Sequence, residues 1–185
     1  MNNKKLSFLF VFFIIQAGQL MSQSTARHEF RLGFGPSLLG TGDMRCLAIE
    51  NEYNYRLNSY FKIAAAVQVG SSENGVFIHS NFRQAGLNLY LSPFKNTGKG
   101  DFRIGTGLNY YRAYNVYAGS TTIVNGVIVD ETIVRGWEKS AGVAIQMEYS
   151  RMVTSALSLG LKAYSNPYFN GDIQSGILLR AGILF

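Results

Sequence analysis

Between Glu29 and Phe185, apolar residues recur at every second position in eight separate segments. Period two is the spacing of a β-strand, whose side chains point alternately to the two faces of a sheet. The segments cover residues 29–35, 47–55, 61–70, 84–91, 102–111, 141–149, 157–164 and 173–185. Because an even number of antiparallel strands returns the chain to its starting point, the pattern predicts an all-β fold, a closed antiparallel eight-stranded up-and-down barrel.

The residues between the apolar positions distinguish a membrane barrel from a soluble one. Only 15% of the chain is charged, and the second face of the strands carries mainly Gly, Ala and Ser, with one or two charges on most strands. A water-facing surface would carry many more Lys, Glu, Asp and Thr, whereas a narrow lumen has room only for small or paired side chains. We therefore predict a transmembrane barrel with its apolar face toward lipid.

Aromatic residues gather near the two ends of the predicted strands. One group comprises Tyr53, Tyr55, Phe61, Phe102, Tyr149 and Phe185. The other comprises Tyr110, Tyr114, Tyr117, Trp137 and Tyr168. Two aromatic belts separated by an aliphatic band are typical of the two interfaces of a bilayer.

The first residues have the order of a secretory signal peptide. Lys4 and Lys5 precede an apolar run at residues 6–15, and small and polar residues follow. The run is shorter than the ~20 residues that a spanning helix needs. The sequence therefore predicts a signal peptide at residues 1–22 that is cleaved off, and a barrel domain at residues 23–185.

The last strand and one turn carry a resemblance to a known group. Phe185 is preceded on the same face by Ile183, Leu179 and Ile177, which resembles the assembly signal of outer-membrane barrels. Together with the turn at residues 90–94, the chain resembles the OmpA/OmpX-like superfamily and the Bacteroidetes "outer membrane protein beta-barrel domain" group. The resemblance implies location in the outer membrane of a Gram-negative bacterium, with outer-membrane lipid and the barrel assembly machinery as partners.

Nine charged residues fall on the predicted lumen face, five positive and four negative. They are Glu29, Arg31, Glu50, Glu52, Lys62, Arg103, Glu148, Lys162 and Arg180. Isolated charges in so narrow a space would be strongly disfavoured, so we expect paired networks that fill and fix the barrel. The alternative is a gated path for ions or small solutes.

Signals for catalysis are weak. His28 and His79 have no carboxylate and serine in a recognisable order, and no Cys/His cluster has the spacing of metal ligands. The basic residues are scattered, which argues against a nucleic-acid partner. We therefore expect no enzyme activity and no cofactor, and rank a lipid- or peptide-modifying enzyme as the third of three functional classes. A structural or surface-interaction barrel is the first, and a small-solute or ion channel is the second.

The segment at residues 118–135 is the one distinctive loop, and we expect it to be extracellular. Asn-Gly between β-branched runs is a strong signal for a hairpin, so strands five and six should continue beyond the membrane as a ribbon. We predict that this hairpin is a contact surface for an extracellular protein or for a neighbouring copy of the chain; an extended rigid loop without a ligand is the alternative. The candidate contact residues are Ile123, Val124, Asn125, Gly126, Val127 and Ile128.

Overall fold

In the computed structural model, the described residues are 27–40, 44–73, 79–94, 100–124 and 127–185. They form eight strands: β1 (His28–Leu39), β2 (Met44–Arg56), β3 (Phe61–Glu73), β4 (His79–Leu91), β5 (Gly100–Val124), β6 (Val127–Met152), β7 (Leu157–Pro167) and β8 (Ile173–Leu184). The predicted signal peptide at residues 1–22 lies outside the described residues. No helix among the described residues is long and apolar enough to cross a membrane.

Each strand pairs antiparallel with the next, and β8 closes the sheet on β1. At the seam, Phe34 lies opposite Leu179. The His28 and Phe185 backbones exchange two hydrogen bonds, of 3.1 and 2.9 Å. Closure leaves no free sheet edge around the barrel. The predicted fold class, a closed eight-stranded antiparallel up-and-down barrel, is confirmed.

The two ends of the barrel differ in their connections. At the end that carries the first and last strand residues, here the terminal end, the turns are organised by single side chains. Asn58 Oδ1 accepts hydrogen bonds from the backbone N–H of Tyr60 (2.8 Å) and Phe61 (2.9 Å), and Thr154 Oγ1 accepts one from Leu157 (3.0 Å). Asn and Thr favour turns because they bond to the local backbone in this way.

At the opposite end, here the ribbon end, the strands extend further than the alternation predicts. The predicted loops at 39–45, 71–80 and 165–172 are partly strand, because β1, β3 and β7 continue into them. The predicted loop at 118–135 is strand over most of its length. β5 and β6 reach 25 and 26 residues, against 11 to 13 for the other six strands.

The outer wall of the barrel is apolar. Leu87 and Leu108, which lie opposite each other on β4 and β5, are each 70% exposed. Within the barrel, burial alternates along each strand, with most large apolar side chains outside and most polar ones inside. This is the reverse of a water-soluble barrel, and it is the arrangement that places the apolar band against lipid chains.

Five predicted belt residues remain on the outer wall as large exposed rings. They are Tyr53, Phe61 and Tyr149 at the terminal end and Tyr110 and Trp137 at the ribbon end. Tyr168 is a correction. It was assigned to the ribbon-end belt, but it is buried inside the barrel. It lies two residues beyond Asn166, which is also buried, and so it continues the lumen-facing phase of β7.

Candidate functional site

All nine charged residues that the sequence places on the lumen face are buried inside the barrel. At the middle of the lumen, two carboxylates on β2 face two cations on β7 and β8. Lys162 Nζ lies 2.8 Å from Glu50 and 3.3 Å from Glu52. Arg180 Nη2 lies 2.8 Å from Glu52 and 3.3 Å from Glu50. Each charge therefore has two opposite partners, the arrangement that offsets the cost of removing ions from water.

Glu148 on β6 joins this central group to the terminal end. Arg180 Nη1 donates to Glu148 Oε2 at 2.5 Å, and Glu148 also forms an ion pair with Arg31. Arg31 Nη2 in turn lies 2.8 Å from Glu29. The network thus runs from β8 through β6 to β1 and crosses the interior of the barrel.

Asp101 is a member of the network that the sequence analysis missed, because it was assigned to the end of the turn at 92–101. It lies in β5, where Lys62 Nζ donates to its Oδ2 at 2.6 Å and Arg103 forms a second ion pair with it. Arg103 also lies 3.4 Å from Glu29. Asp101 brings the network to five cations and five anions, so its formal charges balance.

Neutral polar side chains occupy the remaining bonding positions around Glu52. The Tyr90 hydroxyl donates to Glu52 at 2.8 Å and also lies within hydrogen-bond distance of Gln146. Asn54 Nδ2 donates to Glu52 at 2.8 Å, and Gln146 Nε2 donates to Asn88 at 3.0 Å. Glu52 is fully buried and has four partners, two charged and two neutral. We define these charged and neutral residues together as the ionic layer.

The half of the lumen nearer the ribbon end is filled differently. Buried apolar and aromatic side chains pack there, and we define them as the aromatic layer: Leu39, Phe82, Tyr111, Tyr164, Tyr168 and Leu178. The rings of Tyr111 and Tyr168 lie 4.2 Å apart between centroids. Tyr111, Tyr164 and Leu178 fall on the polar face of the alternation, but the alternation alone does not predict that they form a layer.

Hydroxyl groups in the aromatic layer all have partners. The Tyr164 hydroxyl donates to Ser37 at 2.8 Å and accepts from Gln68 at 2.6 Å. The Tyr168 hydroxyl lies 3.1 Å from Gln174 Oε1. These bonds fix the rings across the lumen, because a buried hydroxyl without a partner is costly.

Glycines make space for these rings. Four lumen aromatic residues each lie opposite a glycine on the neighbouring strand, in the pairs Phe82–Gly70, Tyr90–Gly105, Tyr164–Gly176 and Tyr168–Gly142. A Cβ atom on any of these glycines would come closer than 3.0 Å to the ring or its hydroxyl. Glycines on the lumen face therefore leave the space that an aromatic ring of the neighbouring strand occupies.

The groups that the sequence analysis weighed for catalysis have ordinary surroundings. His28 stacks on Phe185 and lies 2.6 Å from the Tyr53 hydroxyl, and the His79 ring lies 6.2 Å from that of Tyr114. Cys46 is a buried thiol. Among the described residues, no three His, Cys, Asp or Glu side chains are placed to hold a metal ion.

The ribbon carries two backbone edges beyond the barrel. Pairing of β5 with β4 ends at Val116, and pairing of β6 with β7 ends at Ile145, apart from a bridge at Gly142. Beyond those points, β5 and β6 pair with each other up to Val124 opposite Val127, with irregular register near residues 118–123. Of the candidate contact residues, Asn125 and Gly126 lie outside the described residues, as do the side chains of Ile123, Val124, Val127 and Ile128.

The four residues proposed as an assembly signal occupy β8 and its end. Ile177 and Leu179 are exposed on the outer wall, while Ile183 and Phe185 are partly buried. The exposed pair points to lipid, as a membrane-facing strand requires. Their role in assembly stays a prediction.

The closed eight-stranded barrel is similar in fold to solved membrane proteins. Neisserial surface protein A superposes with a TM-score of 0.67 at 12% sequence identity, covering 88% of this chain and 100% of the other. The chain has the fold of the small outer-membrane β-barrels. The predicted resemblance is thereby confirmed at the level of the fold, and the neighbouring structures support the predicted outer-membrane location.

Two further structures agree. Ail, the attachment invasion locus protein of Yersinia pestis, gives a TM-score of 0.56 at 10% identity, covering 88% of this chain and 100% of that one. The N-terminal β-barrel domain of Pseudomonas aeruginosa OprF gives 0.55 at 9% identity, covering 86% and 98%. No family model matches the sequence, and no curated protein is similar to it. The likeness therefore lies in the fold.

Proposed function

We propose that this protein is a non-conducting outer-membrane barrel that holds the β5–β6 ribbon at the cell surface, where the ribbon binds an extracellular protein by strand addition. The observation that carries the proposal is the difference in strand length. β5 and β6 continue as a pair well beyond the other six strands. The part of β5 beyond Val116 spans about 25 Å at the rise of a β-strand.

The filled lumen supports an anchoring role over transport. The ionic layer crosses the barrel in the terminal half, and the aromatic layer crosses it in the ribbon half. Eight strands leave an interior just wide enough for side chains. A solute would have to displace both layers in turn, and each is held by hydrogen bonds or ion pairs.

The edges of the ribbon support strand addition. Ile133 and Val134 on β6 are exposed apolar residues, 37% and 36% accessible, on a stretch that pairs with β5 on one side only. A free edge offers unpaired backbone N–H and C=O groups to another strand, and alternate side chains add specificity.

One of the similar structures is compatible with a role at the surface. Ail has been solved with the heparin analogue sucrose octasulfate, in a structure that superposes on this chain with a TM-score of 0.58 at 12% identity. Small barrels of this fold therefore include one that has been solved in complex with a heparin analogue. This supports the class of role and not a particular ligand.

Shortening the ribbon tests the proposal without disturbing the barrel. Ala118 lies opposite Ile133, so replacing residues 119–132 by Asn-Gly closes a short hairpin at an existing pair. A photo-crosslinking amino acid at Val134 reports contacts of the remaining edge, and one at Leu57 in a terminal-end turn is the matched control site.

In the full-length protein on cells, we expect cross-links to an extracellular protein from Val134 and none from Leu57. Shortening the ribbon should remove those cross-links while the barrel keeps its heat-modifiable gel mobility. Retention of the same cross-links by the shortened protein would refute the binding of the partner along the part of the ribbon beyond Ala118 and Ile133. Loss of the folded barrel would show that the ribbon is part of its structural support instead.

A further inference from the structure

Three cations lie directly opposite one another on the outer wall. Arg83 on β4 pairs with Arg112 on β5, and Arg112 pairs with Lys139 on β6. All three are exposed, and we define them as the basic row. Like charges directly opposite across strands destabilise a sheet. Within the described residues, every ion pair belongs to the ionic layer, so the basic row has no carboxylate partner there.

The basic row lies where the lipid-facing band ends. Toward the middle of the barrel, β4 and β5 carry the exposed aliphatic pair Leu87 and Leu108, and the belt residue Tyr110 comes next. Toward the ribbon, Tyr114 and Trp137 follow as an opposed pair with rings 5.1 Å apart. Aromatic residues of this kind mark the level of the lipid headgroups.

The wall beside Arg83 is concave. An open concavity of about 620 Å³ has an apolar side formed by Leu47, Ile49 and Val69, and Arg83 and Trp137 also line it. The apolar wall and the cation are thus adjacent, which is the arrangement needed to bind a molecule that has acyl chains and a charged headgroup. The guanidinium of Arg112 lies 4.0 Å from the centre of the Trp137 ring, which holds that cation beside the concavity.

We propose that the basic row binds the phosphate groups of a phosphorylated lipid in the leaflet at the ribbon end, with the acyl chains lying along the apolar side of the concavity. The row spans about 10 Å, because neighbouring strands lie 4.7–4.9 Å apart. Two phosphates on one headgroup fit that length. Arg binds phosphate in a bidentate manner and Lys acts as a point charge, so the row offers both modes.

The bound phosphates would also remove a cost to the sheet. Arg112 has a cation on each side, and an anion between the strands converts those repulsions into attractions. The proposal does not depend on what the ribbon binds. It requires only that the barrel sits in a membrane with the row at headgroup level.

The protein carries its own reporter for the test. Trp137 is the single tryptophan of the chain and lies against Arg112. The folded protein is placed in phosphatidylcholine vesicles that contain a small fraction of bis-phosphorylated lipid A labelled with a dansyl group on an acyl chain. Energy transfer from Trp137 to dansyl then measures how much lipid A gathers at the row. The same lipid A without its phosphates is the matched probe.

We expect energy transfer above the level for random mixing with the phosphorylated lipid, and transfer at the random level with the dephosphorylated lipid. Replacing the row by Arg83→Gln, Arg112→Gln and Lys139→Gln should abolish the enrichment. Removing Arg83 alone should reduce it about five-fold, from the usual contribution of one cation near a charged surface. The single variant keeps the test valid if the triple variant does not fold.

A second triple variant controls for net charge. Arg27→Gln, Arg56→Gln and Arg151→Gln remove three cations at the terminal end, none of them in an ion pair with a described residue. This protein should retain the full enrichment. Equal transfer from both forms of lipid A, or unchanged transfer in the basic-row variant, would overturn the proposal. Displacement by low concentrations of inorganic phosphate, without preference for phosphorylated lipid, would assign the row to free phosphate and also overturn it.

Discussion

The two halves of the lumen are closed by different interactions. In the terminal half, five cations and five anions form one continuous network around Glu52 and Glu148. In the ribbon half, the aromatic layer packs around Leu178 and has few charges. The two halves belong to one closed barrel of eight strands.

The two layers should contribute to the stability of the barrel in different ways. A buried ion network is weak evidence for stability, but removing one partner leaves a bare charge and is strongly destabilising. An aromatic layer stabilises the barrel by packing, and the free energy lost on truncating one of its side chains increases with the volume of the cavity that remains. We therefore expect the ionic layer to respond to substitution in large steps and the aromatic layer in smaller ones.

The largest effect should come from Glu52→Ala. This change leaves Lys162 with one nearby carboxylate, Glu50, and leaves Arg180 with Glu50 and Glu148 in place of three carboxylates. We expect it to cost about 3–5 kcal/mol. Urea unfolding in phospholipid vesicles, followed by gel mobility, measures it. Glu138→Ala is the control, because that partly buried carboxylate accepts a hydrogen bond from Asn115 and forms no ion pair with the network among the described residues. Equal losses from both variants would mean that the network is not a special element of the barrel.

Leu178→Ala should have the next largest effect. Leu178 is fully buried in the aromatic layer, so we expect a loss of about 3 kcal/mol, including the cavity that remains. The neighbouring Leu179 is 68% exposed on the outer wall. Leu179→Ala should lose only about 1–2 kcal/mol, because lipid chains fill the space. The same urea titration compares them, and a reversed order would show that the aromatic layer is loosely packed.

The smallest effect should come from Tyr164→Phe. This change removes the hydroxyl that bonds to Ser37 and Gln68 but keeps the ring, so we expect a loss of about 1 kcal/mol. Tyr149→Phe, at an exposed belt position, should be close to neutral. If Tyr164→Phe were as neutral as the control, the hydroxyl bonds would not fix the ring.

The alternation of the sequence predicted the strands because an apolar residue at every second position indicates both a β-strand and the face of the sheet on which each side chain lies. It placed Glu50, Lys162 and Arg180 inside for the same reason. The alternation did not show which of these side chains form ion pairs with one another. Those contacts depend on the register between strands, which is also set by the geometry of the turns. Asp101 was missed because it follows the polar residues of the preceding turn, where the alternation that marks the start of β5 is not visible.

The aromatic layer was missed although a signal was present. Tyr111 and Tyr164 fall on the polar face of the pattern, and Tyr164 lies opposite Gly176 of the neighbouring strand. A tyrosine among small residues on a lumen face indicates a ring that occupies the space the glycines leave. The same phase, continued along β7 to Tyr168, would have placed that residue inside.

Ion conductance of the purified, folded protein in planar bilayers tests the central claim most directly, because the claim is that the ionic and aromatic layers both close the lumen. We predict no steady open pore for the wild-type protein. We also predict none for Tyr111→Ala combined with Tyr168→Ala, since the ionic layer still crosses the barrel. A stable ohmic conductance from the wild-type protein would contradict the account and favour the channel.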